Sequence, residues 1–228
     1  MEFVMIKKQY FIALALFLAF PIYAMTAQAS LIDNGGFETG DFTGWTVTTN
    51  GSGGCDTDWN VGDTGTATNC TAVDDPFEGS YAAYNSLRGN GMNQQTFRLE
   101  QEFLVPMNIS SAVISWADIA SWSVTGTART FTVDLLSTSN IFTKSFNGTG
   151  TQGWTTRSFD LTTLLKDHED ELLTLAFTIN IPPNSTLEAG FGLDNVAVNA
   201  VVPVPAAVWL FGTALIGFIG YSRRRNVI

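Results

Sequence analysis

The sequence is poor in the residues that most often carry chemistry. It has a single histidine, His168, in 228 residues. That excludes a histidine-paired metal centre and leaves a nucleophile–base triad without identifiable partners. His168 also lies in the run 166–171, Lys-Asp-His-Glu-Asp-Glu, which reads as a solvated face. Cysteine is limited to Cys55 and Cys70, and neither has a neighbouring base to activate a thiol. Basic residues number 11 against 21 acidic ones, a formal net charge of −10. Binding phosphate backbones takes clustered cations, so nucleic acid is excluded as a partner. No Gly-x-Ser-x-Gly and no phosphate-cradling glycine loop occurs. Glycosidase chemistry needs two facing carboxylates, and nothing singles out one pair among so many acids. The expectation is that the chain is not an enzyme.

What the sequence does have is two unusual ends. Lys7 and Lys8 precede an apolar run over 10–20, followed by Ala27-Gln28-Ala29. Charged region, apolar region and small-x-small site make up a secretory signal peptide over 1–29, with cleavage after Ala29 leaving Ser30 first. At the other end, residues 206–221 contain no charge. As a helix rising about 1.5 Å per residue, this segment reaches roughly 24 Å, somewhat short of a hydrocarbon core of about 30 Å. Trp209 and Tyr221 suit interfacial depth at its ends, and Arg223, Arg224 and Arg225 supply the cytoplasmic cationic flank. A buried core helix needs a polar face, which this segment lacks. A transmembrane helix over about 206–221 is therefore expected.

Val202-Pro203-Val204-Pro205, the apolar run and Arg223 to Arg225 together resemble a PEP-CTERM sorting signal, here over 201–228. Valine stands at position 204, where the family's namesake motif has glutamate. The resemblance implies export by the Sec machinery in a Gram-negative bacterium that makes extracellular polysaccharide. It also implies recognition by a membrane-embedded exosortase, at least transient membrane anchoring, and delivery to the cell surface or extracellular matrix.

Between the ends, Ser30 to Val202 form a stretch of 173 residues with 20 acidic and 6 basic side chains, a net of −14. That is one domain's worth of chain, long enough for a hydrophobic core. Its charge suits cation binding and solubility outside the cell. In an exported protein Cys55 and Cys70 are expected to pair, closing a loop that stabilises by about 3 kcal/mol. Residues 97–103, 112–117 and 129–135 alternate apolar and polar side chains, the period of half-buried strands. Further strands are expected near 44–49, 80–86, 140–146, 154–159, 172–181 and 190–200. One short helix is expected from Leu161 to about Lys166, extending at most to Glu171, with Asp160 as its N-cap. The Gly/Thr/Asp/Asn-rich stretch 50–71 reads as a long surface loop or weak hairpin stapled by the disulfide. So many short strands argue for an all-β, two-sheet sandwich over 30–200.

Two sequence features are similar to those of jelly-roll carbohydrate-binding modules. One is residues 31–45, with Asn34, Gly36, Glu38 and Trp45; the other is residues 190–196, with Asp194. The stretches 77–84 and 154–162 follow in matching order. The resemblance implies a jelly-roll sandwich whose first and last strands adjoin, often bridged by a structural calcium. Glu38 and Asp194 would then supply carboxylate oxygens, with carbonyls near Asn34 and Gly36 completing the shell. The alternative is that both acids bind loop amides. Sugar-binding sandwiches present aromatic rings beside polar groups. Trp59, Tyr84, Trp122 and Arg88 are the candidates here, with Asn93 and Gln94 near them, whereas Trp45, Trp116 and Trp154 are expected in the core. The expected role is a structural or adhesive protein associated with exopolysaccharide, as in a biofilm. A carbohydrate-binding module is the alternative, and a hydrolase a more remote one.

Overall fold

A computed structural model describes residues 26–51, 58–63, 74–88, 93–122, 129–148, 150–183 and 188–203, and the isolated positions 212, 214 and 218. Cys55, Cys70, Val204, Pro205, Arg223, Arg224 and Arg225 lie outside the described residues, as do the side chains of Ala27, Ala29, Arg88 and Trp122. So does nearly all of the expected membrane segment. Among the described residues no helix is long and apolar enough to cross a membrane. The chain divides into two units, residues 28–202 and a second formed by 1–27 with 203–228. The sandwich belongs to the first.

Its strands are β1 (Thr26–Ser30), β2 (Thr46–Asn50), β3 (Trp59–Gly62), β4 (Ala82–Arg88), β5 (Gln95–Leu104) and β6 (Ser111–Trp122). They continue with β7 (Arg129–Leu136), β8 (Asn140–Gly148), β9 (Thr151–Asp160), β10 (Leu172–Ile181) and β11 (Glu188–Pro203). A single-turn helix, α1 (Thr162–Lys166), joins β9 to β10. One sheet runs β3-β4-β11-β6-β9, with β1 also paired to β11; the other runs β2-β5-β10-β7-β8. The expected two-sheet sandwich is present, with two strands more than the alternation pattern revealed. One is β1. The other is β3, which places residues 59–62 in a sheet where a loop or weak hairpin was expected.

Alternation explains the layers. In β5 the odd residues from Gln95 to Phe103 are buried while the even ones face outward, and β7 repeats the pattern. The buried rings interlock between the sheets. Phe131 lies 4.3 Å, centroid to centroid, from Phe191 and 6.0 Å from Phe177, and Phe177 in turn contacts Trp45 and Trp116. Such pairs add about 0.5–1.5 kcal/mol each beyond the area they bury. Trp45 and Trp116 thus fill the core as expected.

One polar group enters this interior with full compensation. Asp118 is 3% exposed, and Arg157 meets it with two hydrogen bonds of 2.9 and 3.2 Å. Gln152 and the Trp116 indole donate to the same carboxylate at 2.9 Å each. The Arg157 guanidinium also lies 4.5 Å from the Phe146 ring centre. A buried charge needs this many partners to offset its desolvation. Around α1 the expectation is modified. Leu161 occupies the N-cap position and Asp160 ends β9, although the Asp160 carboxylate still accepts the Thr162 N–H at 2.7 Å. The helix stops at Lys166.

Candidate functional site

Three places could carry function: the corner where the first loop meets β11, the outer face of the sheet containing β4, and the outer face of the five-stranded sheet.

At the corner, β11 carries a bulge between Asp194 and Ala197, where its register with β6 shifts. Asn195 turns there with φ at 51°. Into the bulge reaches Gly35, whose carbonyl accepts the Val196 N–H at 2.8 Å. A Cβ on Gly35 would stand 1.8 Å from the Val196 carbonyl oxygen, so only glycine fits. Asn34 and Phe37 also have positive φ, 49° and 56°. This backbone brings the sequence-derived set together, since a Cβ on Gly36 would lie 3.7 Å from Glu38 and 3.8 Å from Asp194.

The carboxylates there already have partners. Asp194 accepts the Asn195 and Glu78 backbone N–H groups at 2.6 and 3.1 Å. Glu38 accepts those of Ser80 and Tyr81 at 2.9 and 3.0 Å. The Asn34 carbonyl accepts from Phe37 N–H and the Trp45 indole. Asp194 is wholly buried, and desolvation pushes its carboxyl up to about 6, opposed by its amide partners and reinforced by the charge of Glu38. Glu78, unforeseen from the sequence, completes the corner by accepting the Asn195 side-chain amide at 3.0 Å. Among the described residues no three acidic, histidine or cysteine side chains converge on one point. Two carboxylates that pair with no cationic side chain among the described residues nevertheless suit a hard cation in charge.

The outer face of the sheet containing β4 is closed. Tyr84, a sugar-stacking candidate, is fully buried, and its hydroxyl donates to the Asp74 carbonyl at 3.2 Å. Burial and the charges of Asp194, Asp75 and Asp74 raise the pKa of that hydroxyl. Trp154 covers it. Its indole donates to the Asp75 carbonyl at 2.8 Å, and its ring packs 5.9 Å from Phe77. Trp154 therefore lies on the outer face, half-buried, and not in the main core where it was expected. Trp59 is corrected in the opposite sense: it is 4% exposed and packs edge-on against Phe191 inside the sandwich. Neither Tyr84 nor Trp59 offers a free ring face to a sugar. Asn93 and Gln94 are exposed, beyond the start of β5.

The outer face of the five-stranded sheet is open. A groove of about 580 Å³ runs across it, lined by Thr46, Arg98, Glu100, Glu102, Leu136 and Thr174. Neighbouring strands set these side chains in rows. Thr46 is in register with Glu100 and Glu100 with Ala176; Glu102 is in register with Thr174 and Thr174 with Leu136. Arg98 forms an ion pair with Glu100. From beneath, Gln101 clamps the first loop by accepting the Asp33 N–H at 2.7 Å and donating to the Asp33 carbonyl at 2.9 Å, which sets Gly44 at the rim. None of these groove residues stood out in the sequence, where they form the polar half of an ordinary alternating strand.

No family model matches the sequence, and no curated protein matches it. Solved structures do. TmCBM61, in complex with beta-1,4-galactotriose, is 16% identical with a TM-score of 0.51, covering 77% of this chain and 99% of that one. The Stig cyclase Fisc from Fischerella sp. TAU, in complex with (3Z)-3-(1-methyl-2-pyrrolidinylidene)-3H-indole, is 19% identical with a TM-score of 0.51, covering 78% and 100%. The fold is a jelly-roll-like β-sandwich. One of these neighbours is a carbohydrate-binding module and the other a cyclase, so the shared fold alone does not choose between binding and catalysis.

Proposed function

We propose that this chain is an exported, non-catalytic surface or matrix protein whose sandwich contacts polysaccharide through the groove on the five-stranded sheet. The observation that carries the reading is the groove itself. It is an open, polar channel of about 580 Å³ on a rigid sheet, with hydroxyl, carboxylate and guanidinium groups in register. Such groups bind sugar hydroxyls, and an extended sheet face suits a polymer better than a closed pocket does. The closed opposite face, where Trp154 and Tyr84 are engaged in packing, favours the same side of the molecule.

Export and tethering rest on the chain ends: the signal-like 1–29 and the PEP-CTERM-like 201–228, acted on by the Sec machinery and an exosortase. Glu38 and Asp194, with backbone carbonyls near Asn34 and Gly36, would hold one structural calcium that ties the first loop to β11.

A glycan panel probed with the full-length protein in uncharged detergent tests the groove. Binding that weakens at least about fivefold in Thr46→Ala with Thr174→Ala supports it, the scale of losing one or two neutral hydrogen bonds; retained affinity in that double variant refutes it. Calcium is tested by melting with and without EDTA. A calcium-dependent rise absent in Glu38→Gln is expected, and no shift in wild type rejects the ion.

A further inference from the structure

We infer that the groove takes a glycan whose sugars carry ammonium groups, a partly deacetylated amino-sugar polymer, in preference to a neutral or uronate-bearing one. The inference rests on the glycan reading and narrows it.

Charge on this face is lopsided. Glu100, Glu102 and Asp134 project from it, while Arg98 is the cation among the described residues there and is already paired with Glu100. Glu102 is exposed and takes part in no ion pair among the described residues. Asp134 accepts hydrogen bonds from Asn140 and Thr143 at 2.9 and 2.8 Å, neutral donors that leave its charge in place. The face thus carries a net negative charge within a domain that is itself strongly acidic. A uronate would enter against that field, and a neutral sugar would make no use of it. An ammonium group gains from both the carboxylates and the overall potential.

The geometry suits a chain of such groups. Glu100 and Asp134 flank the buried Ala176 in register on either side, so their strands stand about 10 Å apart and the two carboxylates are spaced across the face. Among the described residues that line the groove none is aromatic, so ring stacking is not what it offers. A second observation is independent of charge. Thr178 faces the same side, in register with Arg98 and Thr132, and is 7% exposed, and its hydroxyl has no hydrogen-bond partner among the described residues. A buried hydroxyl left without a partner is costly, and a polar ligand reaching the floor beside Arg98 would supply one.

Calorimetric titration of the full-length protein in uncharged detergent tests this, with three probes of equal length: deacetylated chitosan oligomers, fully acetylated chitin oligomers and oligogalacturonate. The solution is kept mildly acidic and low in salt, so that both amines and carboxylates are ionised. The chitosan oligomer is expected to bind at least about tenfold tighter than the acetylated one, with oligogalacturonate weakest. Glu102→Gln with Asp134→Asn should remove most of that preference, costing the chitosan oligomer at least about fivefold more than it costs the acetylated one. Asp63→Asn with Glu188→Gln removes the same charge from the other sheet, at the ends of β3 and β11, and should change affinity less than about twofold. Equal losses in the two double variants would mean diffuse attraction to an acidic protein and would overturn the inference. Equal affinity for the acetylated or uronate probe would overturn the narrowing but leave the glycan reading intact. Silence from all three probes overturns it too, and an empty wider glycan panel would take the site reading with it.

Discussion

The two outer faces of the sandwich are built from similar strands and end in opposite states. On one, glycines at 190 and 192 leave room on β11, and Trp154 swings across to cover Tyr84, with Phe77 and the 74–81 segment packed over it. On the other, the outward positions hold Thr, Glu, Arg and Asp around an open groove. Aromatic content alone would have assigned binding to the first face. Rings on a sandwich exterior are not free for a ligand when their polar atoms and both faces are already engaged.

That contrast can be broken most forcefully at Tyr84. Replacing a fully buried aromatic by alanine should lower stability by about 4 kcal/mol in urea denaturation. A loss under about 1 kcal/mol would show that the closed face is only loosely shut.

The next largest effect is at Asp194, on the same side of β11. Its folded-state carboxyl is raised from 3.8 to about 6, so the folded protein binds the proton more tightly than the unfolded chain does. The resulting stabilisation is fully present below pH 3.8 and is lost as pH rises through about 6. It amounts to roughly 3 kcal/mol. In EDTA, wild-type stability relative to Asp194→Asn should fall across that window by this order. A difference that stays flat with pH would contradict the burial argument.

Smaller still is Gly192→Ala. Its Cβ would stand 2.6 Å from Ile119 and 3.0 Å from Trp154, an overpacking that should cost about 2 kcal/mol by thermal melting. An unchanged melting temperature would mean that Trp154 moves aside freely. Smallest is Thr174→Ala in the groove, expected to alter stability by under about 0.5 kcal/mol while weakening glycan binding. A larger stability loss would show that the open face is structural after all.

Much of the sandwich was legible because β5 and β7 alternate so regularly, and because Trp45 and Trp116 fall on the inward phase. Tyr84 was misread because Ala82 to Ser86 are buried on both sides of β4, which erases the two-residue signal. Trp59 lies in a four-residue strand within a polar stretch, too short for periodicity to show. Trp154 falls on the outward phase of β9 with Thr156 and Ser158, opposite to Arg157 and Phe159, a phase that the aromatic ring itself does not announce. The corner of Glu38 and Asp194 was accessible through family resemblance, since its members are 156 positions apart in the chain. The groove was not. Arg98, Glu100 and Glu102 look like any solvated strand face until β2 and β10 are set on either side of β5.

The decisive experiment on which face meets ligand is an amide NMR titration of the protein with the tightest binder from the glycan panel. The groove reading predicts shifts concentrated at 98–102 and 174–178, with 82–86 and Trp154 unmoved. Shifts centred on Tyr84, Phe77 and Trp154 would contradict it, because the closed face would then be the one that opens to ligand.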